Sequence, residues 1–456
     1  MATRREGVVR RPMVGGGADL AGAAGAALPV GAAVATGARP VPAPGELDAI
    51  LARSRHRALA LGALGVVALL AALVAGVALG EVVIAPADTI GILAHRLLGW
   101  PGRVTWPATD ATIVMELRLP RVLAAMAVGA SLALAGTAFQ GLLRNPLADP
   151  YVLGTASGAA LGAALGVLIP VRGIVLGFGL LQGLAFAGAL LAVIVVYRLS
   201  RAGQLASMTG VLLTGYAVSS LLAAGLAVTM CLSGDGLRQI FFFLLGGFDG
   251  VAWPQLAAAL PALAFGGAVL LSRGRSLNAL LLGEETAAHL GLDVRRERIV
   301  LLGAASLVTA ASVAIAGLIG FVGLVVPHVM RLVVGPNARS VLPLSAIWGA
   351  AFLVACDLLA RMPGDVPVGV VTAASVAIAG LIGFVGLVVP HVVRLVVGPN
   401  ARAVLPLSAI WGGAFLAACD LLARMPGDVP VGVVTALVGA PFFLWILRRA
   451  RSGYEL

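Results

Sequence analysis

An all-α bundle threaded through a lipid bilayer is the architecture that the hydrophobic pattern of this chain demands. Three observations say so. Of 456 residues, 60% are hydrophobic and only 11% charged, whereas a soluble domain carries about 25% charged residues. Several apolar runs reach the roughly 18–20 residues that a helix needs to cross a bilayer. The arginines sit between these runs, as topology signals do. The runs are too long and uniform for the short alternating strands of a β-barrel. They also lack the polar face of a soluble helix. The net charge of +11 is scattered and forms no basic face of the kind that grips nucleic acid.

Residues 1–57, rich in Ala, Gly, Pro and Arg, are expected to form a disordered basic tail. The first span is expected at about 58–80, with "RSRHR" before it and "GEVVIAPADT" after it. That asymmetry puts the N-terminus in the cytoplasm. Residues 81–118 are then an external loop, with Trp100 and Trp106 at interface depth. Further spans follow at about 120–142, 151–169, 173–196 and 206–232, with "IFFFLLGGFDG" as a short re-entrant or interfacial helix. A sixth runs over about 253–272. The long polar interval 273–298 is cytoplasmic by alternation. Spans at about 299–317 and 319–334 share a tight glycine turn, and a ninth covers about 341–360.

The chain then repeats itself. Residues 308–370 and 371–433 are the same except at Met330/Val393, Ser340/Ala403, Ala350/Gly413 and Val354/Ala417. Repeat architectures normally stack three or more diverged units, so this is a single recent tandem duplication or an assembly error in the sequence. Each unit carries one inward and one outward crossing, so the insertion leaves the last span, about 431–447, running inward. The total is ten crossings plus an inserted pair, about twelve.

Candidate functional residues are few. Arg118 and Arg121 lie at an outer mouth, where positive charge is disfavoured. They either meet acidic groups of an external partner, or snorkel to headgroups or pair with Glu116. Gly154, Gly158, Gly162 and Gly166 fall four apart and mark close helix packing. Gln140 is an intramembrane polar residue, hence a functional candidate or a helix–helix hydrogen bond. "LLGEETAAHLGLDVRR" reads as two short helices around Gly291, either a docking knob or a solvated loop. His328 and His391 follow Pro327 and Pro390; such a His either relays protons or, in the favoured reading, satisfies a carbonyl freed by the proline kink. Asp357 with Arg361, and Asp420 with Arg424, are local i,i+4 ion pairs. Cys231, Cys356 and Cys419 sit in apolar runs as inert buried thiols. No catalytic constellation, metal-ligand spacing or cofactor motif is present in the sequence. The chain has no lysine, so it cannot hold the P-loop pattern G-x-x-x-x-G-K-[ST]. Any ATP hydrolysis belongs to another subunit.

Four blocks, "RLPRVLAAMAVGASLALAGTAFQGLLRNPLADPYVLGTASGAALG", "LLGEETAAHLGL", "GLIGFVGLVVPHVMRL" and "PVGVVTALVGAPFFLWILRR", resemble in order those of the permease family of ABC importers for iron–siderophores, haem and cobalamin. The resemblance covers about 58–456, setting one repeat unit aside. It implies a bacterial cytoplasmic-membrane protein with both termini inside, paired with a second permease copy or a paralogue and embedded in membrane lipid. It also implies ABC ATPase subunits below and an external substrate-binding protein above, with no nucleic acid involved. By resemblance, Arg118, Arg121 and either Arg361 or Arg424 meet the binding protein. The ATPase-coupling segment maps to about 277–292, including Leu280, Gly283, Glu284, Glu285, Thr286, Ala287, Ala288, His289, Leu290 and Gly291. Gln140, Asn145 and Pro146 line or border the pathway. Rival readings are an inactive duplicated permease and an ion-coupled secondary transporter.

Overall fold

A computed structural model describes residues 44–374, apart from breaks at 81, 102–103, 170–172, 176–177, 203–207 and 362–365, with isolated positions beyond. The expected tail up to residue 43, most of the second repeat copy, Asp420, Arg424, Cys419, His391 and the final span lie outside the described residues. The chain divides into two units, Met1–Leu51 and Ala52–Leu456. Only 44–51 of the first is described, and it is helical.

Helix α1 runs Pro44–Ala78, beginning earlier than the expected span. Proline at a helix start loses no hydrogen bond. The expected external loop is itself structured. It holds α2 (Pro86–Leu98), α3 (Ala108–Thr112) and a π-helical turn, Ile113–Arg118. Trp106 is buried, while Trp100 is exposed. From that turn rises α4 (Leu119–Leu142), followed by α5 (Thr155–Leu168). Residues expected to open the fourth span instead form a two-stranded ribbon, β1 (Ile174–Val175) and β2 (Phe178–Gly179). Helix α6 therefore starts only at Leu180 and ends at Ala202.

Helix α7 covers Met208–Leu232, and the expected short helix is α8 (Leu237–Leu245). After α9 (Trp253–Ser272) come α10 (Gly274–Leu281) and α11 (Glu284–His289). The break between these two falls at Gly283, whose φ is +120°, and not at Gly291. Gly291 instead leads into α12 (Val294–Ala316). The turn from Gly317 to Phe321 joins α13 (Val322–Val334), and α14 spans Ala338–Arg361. Among the described residues, seven helices are long and apolar enough to cross a membrane, and α5 and α13 are shorter apolar helices.

Helices α4 and α12 form the buried centre; α1 and α7 lie mostly exposed at the periphery. Without a hydrophobic drive between helices in lipid, small residues must let the backbones close. A Cβ on Gly129 would stand 2.3 Å from the carbonyl oxygen of Gly349, and one on Gly136 only 1.7 Å from that of Gly323. Helix α4 thus packs on α13 and α14, the two helices of the first repeat copy. Gly158, Gly162 and Gly166 do the same for α5 and α6: a Cβ on Gly162 would come within 2.1 Å of the Leu184 carbonyl, while Gly154, just before α5, faces Ser219 of α7. Residues 368–374 begin another helix, whose Gly369 amide donates to the Gly246 carbonyl at 3.2 Å.

Candidate functional site

Among the described residues, polar clusters interrupt the apolar bundle at each end and between. At the Arg121 end, α4 starts directly after the π-turn, so Arg118 and Arg121 stand on adjoining turns yet point differently. Arg118 is buried. Its Nη1 donates to Val77 O at 3.0 Å and Ala78 O at 2.8 Å, and its Nη2 donates to Val82 O. Val77 and Ala78 end α1, where carbonyls lack intrahelical donors and attract a cation; Val82 lies in the loop just beyond. Arg118 is therefore committed to holding α1.

Arg121 faces outward, its side chain 17% exposed. Its Nε donates to Asp357 Oδ1 at 2.9 Å and its Nη1 to Asp249 Oδ1 at 2.6 Å. Asp357 is fully buried and gives its other oxygen to Arg361, the expected i,i+4 pair. Arg361 also donates to Gly76 O at 3.0 Å. One buried carboxylate thus joins α4, α14 and, through Arg361, the end of α1. Asp249, in the loop after α8, had no assigned role in the sequence, because nothing local links it to Arg121.

Between the ends, Gln140 is buried against α13. Its Nε2 donates to Leu324 O at 2.9 Å and to Gly323 O at 3.4 Å. Proline has no N–H, so Pro327 leaves the Gly323 carbonyl without its helical donor. Gln140 supplies one. The expectation that His328 does so is corrected: the donor comes across the interface from α4. Gln140 Oε1 in turn accepts from Arg331 at 2.5 Å, while Arg331 Nη2 donates to Thr137 O at 3.1 Å. The arginine in the last turn of apolar α13 is the sequence signal for this cluster.

At the opposite end, α10 and α11 project as a knob. Glu284, Glu285, Thr286, Ala288, His289, Leu290 and Gly291 are exposed, while Ala287 and Leu280 are buried and Gly283 is half-buried. Leu282 and Leu290 are 67% and 64% exposed. The knob is fastened on three sides. Arg298 of α12 pairs with Glu284. Asn278 Nδ2 donates to Asn337 Oδ1 at 2.8 Å, and Asn278 Oδ1 accepts from Ala338 N at 2.7 Å, which ties α10 to the start of α14. Arg144, just past α4, donates to Leu280 O at 3.1 Å. Asn145 and Pro146 are exposed in the turn beside it. There the Asp149 carboxylate accepts from Tyr151 N at 2.8 Å, and burial pushes its carboxyl above the usual range. Of the cysteines, Cys356 is buried; Cys231, expected buried, is exposed on peripheral α7. Among the described residues no His/Cys/Asp/Glu group could hold a metal ion.

Among the described residues, seven apolar helices long enough to cross a bilayer, packed around a buried central pair, make this a polytopic helical membrane protein. The chain belongs to the FecCD transport family, which matches residues 68–374 and again 366–449. The first match runs through the first repeat copy; the second contains the whole of the second copy and continues beyond it. Among curated relatives, the cobalamin import system permease protein BtuC of Halobacterium salinarum is 41% identical over 316 residues, covering 66% of this chain and 85% of its own. The hemin transport system permease protein HmuU of Yersinia pestis is 40% identical over 270 residues, covering 57% and 79%. A solved metal-chelate type ABC transporter in an inward-facing conformation matches with a TM-score of 0.59 and 28% identity, covering 70% of this chain and 96% of that one.

Proposed function

We propose that this chain is the permease subunit of an ATP-driven importer for chelates of the iron–siderophore, haem and cobalamin group, working by alternating access. The observation that carries the reading is the family match together with relatives named for cobalamin and hemin transport. The α10–α11 knob is the surface for a separate ATPase. Its exposed leucines supply an apolar contact, and its ties to α4, α12 and α14 carry displacement into the bundle. The Arg121 cluster is the external docking face for a substrate-binding protein, and Arg361 supports it through Asp357. Arg118 braces the wall behind. A second permease, identical or paralogous, completes the pathway. The knob end is cytoplasmic. ATP binding shifts the pathway only in so far as it favours one state over the other.

The test is uptake of labelled ferric siderophore, haem and cobalamin in a strain lacking the chain, rescued by the full-length protein with its ATPase. Uptake of one class that vanishes when the ATPase is inactivated is the expected result. Transport in vesicles without any ATPase would refute the reading. The repeat favours a second reading, a permease made inactive by its inserted pair. A chain lacking 371–433 that transports, beside a silent full-length chain, would establish it.

A further inference from the structure

The fork of Arg121 is divided between two unlike carboxylates. Asp357, fully buried and shared with Arg361, holds Nε at 2.9 Å; Asp249 holds Nη1 at 2.6 Å with its own side chain 58% exposed. The first bond is structural, because separating a buried pair strands charge in the interior. The second is exchangeable, because an exposed pair contributes little and water can replace either partner.

We infer that Asp249 is an internal stand-in for an incoming carboxylate. It occupies Arg121 while the transporter is undocked and yields it when an acidic side chain of the external binding protein arrives. The inference rests on the docking reading above and assigns a residue that regulates it. The stand-in keeps a partly buried guanidinium satisfied in the absence of a partner. It also sets a threshold: only a carboxylate held in better geometry than Asp249 displaces it, so weakly acidic surfaces are refused. Discrimination by a competing contact is a general route to specificity.

The test uses the full-length chain with its ATPase in lipid nanodiscs, as wild type, Asp249→Asn, Asp249→Glu and Arg121→Gln. Two quantities are measured: affinity for the transporter's own binding protein, and the rate at which phenylglyoxal modifies Arg121, followed by peptide mass spectrometry. The second needs no partner. Asp249→Asn is expected to tighten docking and speed modification by about two- to fivefold, the factor an exposed ion pair contributes. Asp249→Glu is expected to stay near wild type. Docking that is unchanged or weaker in Asp249→Asn, or an unchanged modification rate, overturns the inference. Full docking by Arg121→Gln overturns instead the reading it rests on.

Discussion

Arg121 and Asp357 are 236 residues apart in sequence, yet Nε of one lies 2.9 Å from Oδ1 of the other. This contact fastens the first residues of α4 to the last turn of α14. With Arg361 on its second oxygen, Asp357 faces two guanidinium groups from within the bundle.

Asp357→Asn should therefore be severe. It leaves two partly buried arginines without their shared anion, and breaking such a pair costs about 3–5 kcal/mol. Asp249→Asn, at an exposed position, should cost under about 1 kcal/mol. Thermal unfolding in detergent separates the two. Equal effects would mean that Asp357 does not anchor the cluster.

Gly136→Ala should abolish assembly of the bundle, since its methyl would sit 1.7 Å from the Gly323 carbonyl oxygen. Backbone cannot move aside as a side chain can, so a loss above about 3 kcal/mol is expected, as for strong overpacking. Gly303→Ala on α12 meets nothing within 4 Å and should gain up to about 1 kcal/mol from helix propensity. Yield of monodisperse protein and melting temperature give the comparison.

Arg298→Gln removes the bond from α12 to Glu284 without touching the packed core. Since Glu284 is half exposed, the fold should change by less than about 1 kcal/mol. Uptake per ATP hydrolysed should nevertheless fall several-fold, because α11 no longer pulls on α12. Retained coupling in reconstituted vesicles would remove this pair from the transmission path.

Asp149 supplies a pH test. Burial raises its folded-state pKa above the ordinary 3.8, so the folded protein holds that proton more tightly than the unfolded chain. Its contribution to stability is then greatest below the unfolded value and declines as pH rises from there through the raised folded value. Asp149→Asn keeps the acceptor for Tyr151 N, should be the more stable at neutral pH, and should flatten the melting curve across that window. An unchanged slope would contradict it.

The two possible single-copy chains differ only at Met330, Ser340, Ala350 and Val354. Deleting 371–433 keeps these residues. Deleting 308–370 in effect installs Val, Ala, Gly and Ala there. Val354 is fully buried, and a buried aliphatic truncation plus a helical Ala→Gly change together cost about 2–4 kcal/mol. The chain lacking 308–370 should melt lower by that amount, and a higher melting point for it would count against the packing of α14 seen here.

Much of the bundle was legible in advance. Hydropathy located each long helix among the described residues, because only an internally hydrogen-bonded apolar helix can lie in lipid. The α8 helix, the glycine row on α5, the Asp357–Arg361 pair and the exposed α10–α11 surface follow from spacing along one segment. The Arg118 caps, the Gln140 bond across the Pro327 kink and the Asp249–Arg121 pair do not. Their partners are brought together from 36 to 184 residues away, and no local pattern records that.

By itself, then, the sequence determined that this is a multi-span helical permease, where its long helices run, and that a 63-residue unit occurs twice. Only the tertiary structure decided which apolar helix is central and that the first copy packs against α4. Lipid tails and side-chain interiors are equally apolar, so hydropathy cannot distinguish them. The first span, with mean hydropathy 2.6, is only 6% buried, while the span containing α4, at 1.9, is 78% buried. The contacts of Gly129 and Gly136 with the Gly349 and Gly323 carbonyls, which no local pattern records, place the first copy against α4.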